Sequence, residues 1–100
     1  MSERIKIDRL MGCTIDELLV WLPAASNYKK FEVVRSSQTL EVHFPDDGID
    51  IYGLIQPSRQ IALLSIPVVL ITFSFNEKWS KLSVDQFMSR FDLYTRRGGG

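Results

Sequence analysis

The feature that most constrains this chain is a long stretch, residues 60–76, in which no side chain is charged. A membrane-spanning helix needs about 20 consecutive apolar residues, and this stretch is shorter and is interrupted by Pro67. Its second half is rich in β-branched residues, which favour strands over helices. We therefore expect the stretch to form a buried strand and not to enter a membrane.

One straight strand cannot contain the whole stretch. About sixteen extended residues at ~3.3 Å each would span more than 45 Å, whereas a 100-residue globule is roughly 30–35 Å across. Proline cannot donate a hydrogen bond to a neighbouring strand, so a bulge or sheet corner is expected at Ile66-Pro67. Val68 to Phe75 should then continue as a central strand.

The N-terminal part predicts a strand followed by a short helix. Ile5 and Ile7 alternate with charged residues, which is the period of a half-buried strand. After Gly12, the segment Thr14 to Glu17 has the pattern of a capping box, in which the two side chains satisfy exposed backbone N–H groups. Apolar residues follow at helical spacing, and Pro23 is expected to end the helix after about two turns.

The middle of the chain predicts antiparallel strands. Residues 31–35 and 39–44 flank a short polar connection and are expected to form a hairpin. Pro45 to Gly48 is strong turn chemistry and leads into a strand from Ile49 to Ile55. The segment Gln56 to Arg59 is expected to turn the chain once more.

The C-terminal part predicts a second helix. Ser83 to Gln86 has the pattern of another capping box, with Leu82 and Phe87 placed as a hydrophobic staple. Apolar residues at helical spacing supply a core-facing side, and the helix is expected to run to about Tyr94.

These elements predict an α+β fold with the order β-α-β-β-β-β-α. A curved antiparallel sheet with both helices packed on one face satisfies this order. It resembles the helix-grip or TATA-binding-protein-like arrangement, although no family motif accompanies the resemblance and fold alone does not imply function. Residues 1–100 are expected to form a single domain, with residues 98–100 as a flexible glycine tail.

Charge and cysteine content narrow the possible partners and the compartment. Twelve basic and twelve acidic side chains cancel, which disfavours nucleic acid and anionic membranes as partners. Cys13 is the only cysteine, and the first residues lack the apolar stretch of a signal peptide. A cytoplasmic location is therefore expected.

The first helix carries apolar residues outside its core-facing side. Val20 and Trp21 lie at positions where the second helix has Ser89 and Arg90. A helix that is apolar nearly all round is covered either by its own domain or by a partner. Val20, Trp21 and Pro23 are therefore candidate residues of a homodimer or partner interface. The alternative is that Trp21 folds back over the sheet edge.

The chain offers little for catalysis. There is one histidine and one cysteine, with no glycine-rich phosphate loop and no spacing typical of metal ligands. His43 is expected at the surface beside Glu41, and Asp46 and Asp47 are expected to form a turn. Cys13 is expected to pack at the start of the first helix. No catalytic residue, metal site or cofactor is predicted, and an enzyme is the least favoured class.

Two further candidate sites concern small ligands. Arg90, Tyr94, Arg96 and Arg97 form a basic cluster that could grip an anion or, less favourably, a nucleic acid, although cations at a helix C-terminus are also common for structural reasons. A cavity for a small apolar molecule could lie between helices and sheet. It would be lined by phenylalanines that are equally expected in a solid core: Phe31, Phe73, Phe75, Phe87 and Phe91.

The sequence therefore predicts a small non-enzymatic interaction domain that associates with itself, or with another protein, through its first helix. The alternatives are a binder of a small apolar or anionic ligand and a weak binder of nucleic acid through the C-terminal arginines.

Overall fold

The fold is described by a computed structural model that covers residues 4–95. Arg96, Arg97 and the glycine tail lie outside the described residues. Five strands and two helices follow one another in the predicted order: β1 (Ile5–Met11), α1 (Ile15–Ala25), β2 (Glu32–Arg35), β3 (Thr39–Phe44), β4 (Ile49–Ile61), β5 (Leu64–Phe75) and α2 (Lys81–Tyr94). The α+β class and this element order are confirmed.

All five strands form one antiparallel sheet with the order β1-β5-β4-β3-β2. β5 is an interior strand: it pairs with β1 from Val69 to Phe75 on one side and with β4 along its whole length on the other. The β2–β3 hairpin completes the sheet beside β4. The predicted strand from Val68 to Phe75 therefore lies inside the sheet, as expected, although the middle strand is β4.

The two faces of the sheet differ sharply. On the core face, alternate residues of β3, β4 and β5 are buried together with the apolar sides of α1 and α2. Phe73 is at the centre, with its ring centroid 4.7 Å from that of Phe91 in an edge-to-face contact. Both helices therefore lie on one face, and the opposite face, here called the open face, is covered by no helix.

The helix α1 begins as predicted but ends later. Thr14 Oγ1 accepts a hydrogen bond from Glu17 N, and Glu17 accepts one from Thr14 N, which is the predicted capping box. The prediction that Pro23 ends the helix is wrong, because Pro23 lies inside a helix that continues to Ala25. Proline removes only one helical hydrogen bond so near the end, and burial of Leu22 and Ala25 in the core offsets that loss.

The helix α2 begins three residues earlier than predicted. Its N-cap is Ser80, whose Oγ accepts from Ser83 N, so Ser83 is the third helical residue and not the cap. The predicted staple is also wrong, since Leu82 is exposed. Either serine can cap a helix, and the earlier cap adds a further turn of hydrogen bonds. The predicted end at Tyr94 is confirmed.

The hairpin of β4 and β5 is longer than predicted. The expected turn at Gln56 to Arg59 is a β-bulge, where Pro57 and Ser58 both lie opposite Pro67, and β4 continues to Ile61. The prediction of irregular pairing near Pro67 is confirmed, but the extra residue is in β4. The chain reverses only at Ala62-Leu63, where Ala62 has a φ of 55°.

This hairpin projects beyond the rest of the sheet. β3 pairs with β4 only as far as Leu54, and β1 pairs with β5 only from Val69 onwards. Residues 55–68 therefore form a two-stranded ribbon with no third strand, here called the arm. The projection accounts for the long axis of 48 Å, against 30 and 24 Å in the other two directions, and it removes the length conflict that had suggested a sheet corner.

Gly48 provides a direct test of the turn before β4. Its φ of 67° is in the left-handed region, and a Cβ atom there would collide with the Asn76 side chain. The substitution Gly48→Ala should lower the free energy of unfolding by about 1–2 kcal/mol, because an L-residue strains this backbone. Gly12→Ala is the matched control, since its Cβ would meet only ordinary contacts, and it should change stability by less than about 0.5 kcal/mol. Urea denaturation of both variants gives the values, and equal losses would contradict this interpretation.

Candidate functional site

The open face of the sheet is divided into a polar half and an apolar half. Directly paired residues have side chains on the same face, so each row across the strands can be read from the register. The two rows nearest the start of β4 are mostly polar: Lys6, Ser74, Asp50, His43 and Glu32 form one, and Asp8, Thr72, Tyr52, Glu41 and Val34 form the next. The third row is mostly apolar: Leu10, Leu70, Leu54 and Thr39.

The polar half is ordered by a network centred on Asp50. Its carboxylate accepts hydrogen bonds from His43 Nδ1 and, at 3.0 Å, from Arg4 Nη2. Arg4 Nε in turn donates to Ser74 Oγ at 2.6 Å. A proton on Nδ1 leaves Nε2 of a neutral His43 as an acceptor. The predicted surface position of His43 is confirmed, since about half of its side chain is exposed.

The order of these residues does not match a nucleophilic triad. In such a triad the histidine lies between the serine and the carboxylate and removes the serine proton. Here Asp50 occupies the strand between His43 and Ser74, and the Ser74 hydroxyl accepts from Arg4. The network can hold side chains in place and present hydrogen-bonding groups, but it does not activate Ser74.

A shallow depression of about 430 Å³ lies over the polar half. Among its lining residues, Glu32 and Glu41 are exposed and form no ion pair within residues 4–95. Lys6 lines the same depression and also forms no ion pair within residues 4–95, so the depression carries charges of both signs with a small acidic excess. No group of three or more metal-ligating side chains occurs among residues 4–95.

The apolar half continues from the sheet onto the arm. Side chains alternate along β5, so Leu64, Ile66, Val68 and Leu70 share the open face, and register places Leu10, Leu54 and Ile61 beside them. These seven residues are here called the apolar stripe. Several are strongly exposed: Leu64 at 66%, Leu10 at 59% and Ile61 at 48%, while Leu63 at the tip is 100% exposed.

A small pit lies within the apolar stripe. It has a volume of about 70 Å³, and its walls include Leu10, Arg59 and Ile66, with Val68 among the lining residues. Val68 is 8% exposed, so it is the deepest member of the stripe. The stripe thus has both protruding side chains at the arm tip and a recess nearer the sheet.

The predicted interface residues on α1 have different environments. Val20 is 76% exposed. Trp21 is half-buried and packs against the core, and Pro23 is half-buried within the helix. Of these three residues, only Val20 is freely available to a partner, and the packing of Trp21 agrees with the alternative that it covers the edge of the core.

Of the predicted anion cluster, the structure describes only Arg90 and Tyr94. Arg90 Nε donates to the Ala24 carbonyl oxygen at 2.9 Å, and its guanidinium lies 4.4 Å from the centroid of the Tyr94 ring. Arg90 therefore joins α2 to the C-terminal end of α1, where a cation is favourable. Arg96 and Arg97 lie outside the described residues.

The predicted ligand cavity is occupied by the phenylalanines themselves. Phe73, Phe75, Phe87 and Phe91 contact one another with ring centroids 4.7–6.5 Å apart. Phe31 packs on Phe44 at 5.5 Å. Cys13 is buried, as predicted. These rings fill the space between helices and sheet as a solid core.

Comparison with protein-family models, with curated protein sequences and with solved structures finds no match for this chain. Within residues 4–95, neither helix is long and apolar enough to cross a membrane. The candidate site therefore has to be interpreted from its own geometry, and the apolar stripe is its most unusual part.

Sequence reasoning missed the apolar stripe because its members come from three strands. Leu10 and Leu54 lie far apart in the sequence and meet only through their common partner Leu70. The signal that was available is the run of alternate apolar residues from Leu64 to Leu70, which continues the strand period past Pro67.

The structural role of Arg90 can be tested through stability. Arg90→Ala removes the hydrogen bond to Ala24 and the contact with Tyr94, so it should lower the free energy of unfolding by about 1–2 kcal/mol. Lys81→Ala removes a cation from the same helix that is 79% exposed, and it should cost less than about 0.5 kcal/mol. Thermal unfolding with matched denaturant curves provides both values. An Arg90→Ala variant as stable as the Lys81→Ala control would show that Arg90 is not structural.

Proposed function

We propose that this chain is a non-enzymatic protein-interaction domain that associates with itself through the apolar stripe and the arm. The observation that carries the proposal is the exposure of large apolar side chains, Ile61, Leu63 and Leu64, at the far end of a ribbon that has no third strand within residues 4–95. Contiguous exposed apolar surface of this kind marks interaction sites in proteins.

The structure of the arm supports this proposal. A two-stranded ribbon is at best marginally stable in water unless something packs on it. Leu63 and Leu64 face solvent at its far end, where a chain with no use for the surface would be expected to carry polar residues. A partner that covers the stripe would both remove this apolar surface from water and order the arm.

The unpaired strand edges of the arm are poorer binding sites than its open face. Unpaired strand edges can add further strands, but Pro57 and Pro67 each remove one donor from the backbone. Natural proteins use proline in this way to prevent open-ended addition. The stripe of side chains, which prolines do not interrupt, is the better binding surface.

Self-association through α1 is the second candidate surface. Exposed Val20 favours it, while the contact of Trp21 with the core makes the available apolar area small. Binding of anionic ligands or nucleic acid has less support from the described surface, because exposed Glu32 and Glu41 on the open face would repel phosphate groups.

Solution mass tests the proposal and separates the two surfaces. Light scattering over a hundredfold concentration range should show a shift from monomer to dimer for the unmodified chain. Leu64→Lys should raise the dissociation constant at least tenfold, because it puts a charge into the apolar contact. Val20→Lys, a similar change at an equally exposed position, should leave the constant unchanged within a factor of two.

The opposite pattern would identify α1 as the interface: Val20→Lys monomeric and Leu64→Lys still dimeric. A monomer at every concentration for the unmodified chain would overturn self-association altogether. Circular dichroism of each variant confirms that its fold is intact, since both positions are exposed and neither substitution removes a core side chain.

A further inference from the structure

The register of the arm points to the geometry of the dimer, an inference that rests on the proposed function. We propose that two copies pack their open faces together, related by a two-fold axis that passes over Pro67 and lies across the strands. Each arm tip then covers Leu70 and Leu54 of the other copy. The occupant of the apolar stripe is thus a second copy of this chain.

The residues that this axis brings together match in character. On β5, Leu64 of one copy lies over Leu70 of the other, and Ile66 lies over Val68. On β4, which register places beside them, Ile61 lies over Leu54. Ile66 and Val68 both line the small pit, so the apolar linings of the two pits face each other.

The polar residues within the stripe also match. Arg59 is paired with Ile66 and Gln56 with Val68, so the same axis places Arg59 of one copy over Gln56 of the other. Arg59 forms no ion pair within residues 4–95, and the Gln56 side-chain oxygen can accept from its guanidinium. Each of these paired positions of the arm therefore faces a residue of similar polarity in the second copy.

Neighbouring positions of the axis give poorer matches. An axis over Ile66 places Arg59 against Arg59, which sets two like charges together, and Ile61 against Gln56. An axis over Val68 places Leu64 against Thr72 and Ile61 against Tyr52, in the polar half. Like charges and mismatched polar groups across an interface are unfavourable. Avoidance of the Arg59–Arg59 contact and of the polar half therefore favours the axis over Pro67.

The contact is small. Few side chains of the stripe and tip are strongly exposed, so the interface lies at the low end of the size range of specific interfaces, which is typical of transient association. The dimer should therefore dissociate in the micromolar range, and both polar halves should remain accessible beyond the ends of the contact.

Cross-linking tests the arrangement directly. Ile61→Cys and Leu54→Cys are made separately in a Cys13→Ala background, mixed, and treated with a short bis-maleimide at a concentration where the dimer is populated. Packed sheets lie about 10 Å apart, so the mixture should give a cross-linked dimer. Ile61→Cys alone should not cross-link, because its two copies would lie about 20 Å apart along the strands.

A charge reversal provides an independent test. Gln56→Arg sets a second cation opposite Arg59 and should raise the dissociation constant at least fivefold, and adding Arg59→Glu should restore it. Gln86→Arg on the exposed surface of α2 is the control and should have no effect.

The outcomes separate this inference from the proposed function. A dimer in which Ile61→Cys cross-links on its own would overturn the axis over Pro67 while self-association stands, and so would a dimer that gives no cross-link in the mixture. A dimer that is insensitive to Gln56→Arg would do the same. A chain that stays monomeric would overturn both, and cross-linking in the mixture with rescue by Arg59→Glu would establish the arrangement.

Discussion

The packing of β5 against both helices is the interaction on which the rest of the structure depends. Phe73 and Phe75 lie on its core face and contact Phe87 and Phe91 of α2 through edge-to-face ring pairs. β5 also pairs with β1 on one side and β4 on the other, so it organises the sheet as well as the core. Disruption of this strand would remove the support of every other element.

The same strand also creates the candidate binding surface. Between Leu64 and Val68 it pairs only with β4, as part of the arm, and its apolar side chains lie on the open face, away from the helices. The apolar sequence of β5 therefore extends beyond the part of the strand that builds the core. Association between copies is the simplest role for the exposed apolar surface of the arm, because it removes these side chains from water.

Much of the fold could be predicted from the sequence where local chemistry is decisive. Thr14 and Glu17 are at the correct spacing for a capping box, and Gly48 follows a proline and two aspartates in a turn, so both positions are predictable. Predictions failed where tertiary context prevailed. Pro23 is held in α1 by burial of its neighbours, and two serines three residues apart could each cap α2.

The arm was mispredicted because turn-forming residues occur in its sequence at a place where the chain does not turn. Gln56 to Arg59 contains proline and serine, which indicate a turn, but this segment is a bulge within a continuing strand. The true reversal is at Ala62-Leu63, which carries no glycine, asparagine or proline. The apolar stripe could not be predicted because it requires the register of three strands. Val20 and Trp21, in contrast, were proposed as interface residues from the helical pattern of the sequence alone.

The position of a residue on one face of a strand does not reveal whether that face is covered. The core face is covered by the two helices, whose buried side chains pack with those of the sheet. The open face can be covered only by a second molecule. The central claim is therefore that the arm is a contact surface whose apolar side chains are covered when two copies meet.

Amide hydrogen exchange of residues 59–66 at dilute and concentrated protein tests this claim most directly. An uncovered two-stranded ribbon opens readily, whereas a packed one is protected. The account predicts that protection of these amides increases as concentration passes through the micromolar range, while protection of the core strand residues Ile71 to Phe75 stays constant. Exchange of the arm amides that is fast and independent of concentration would contradict it.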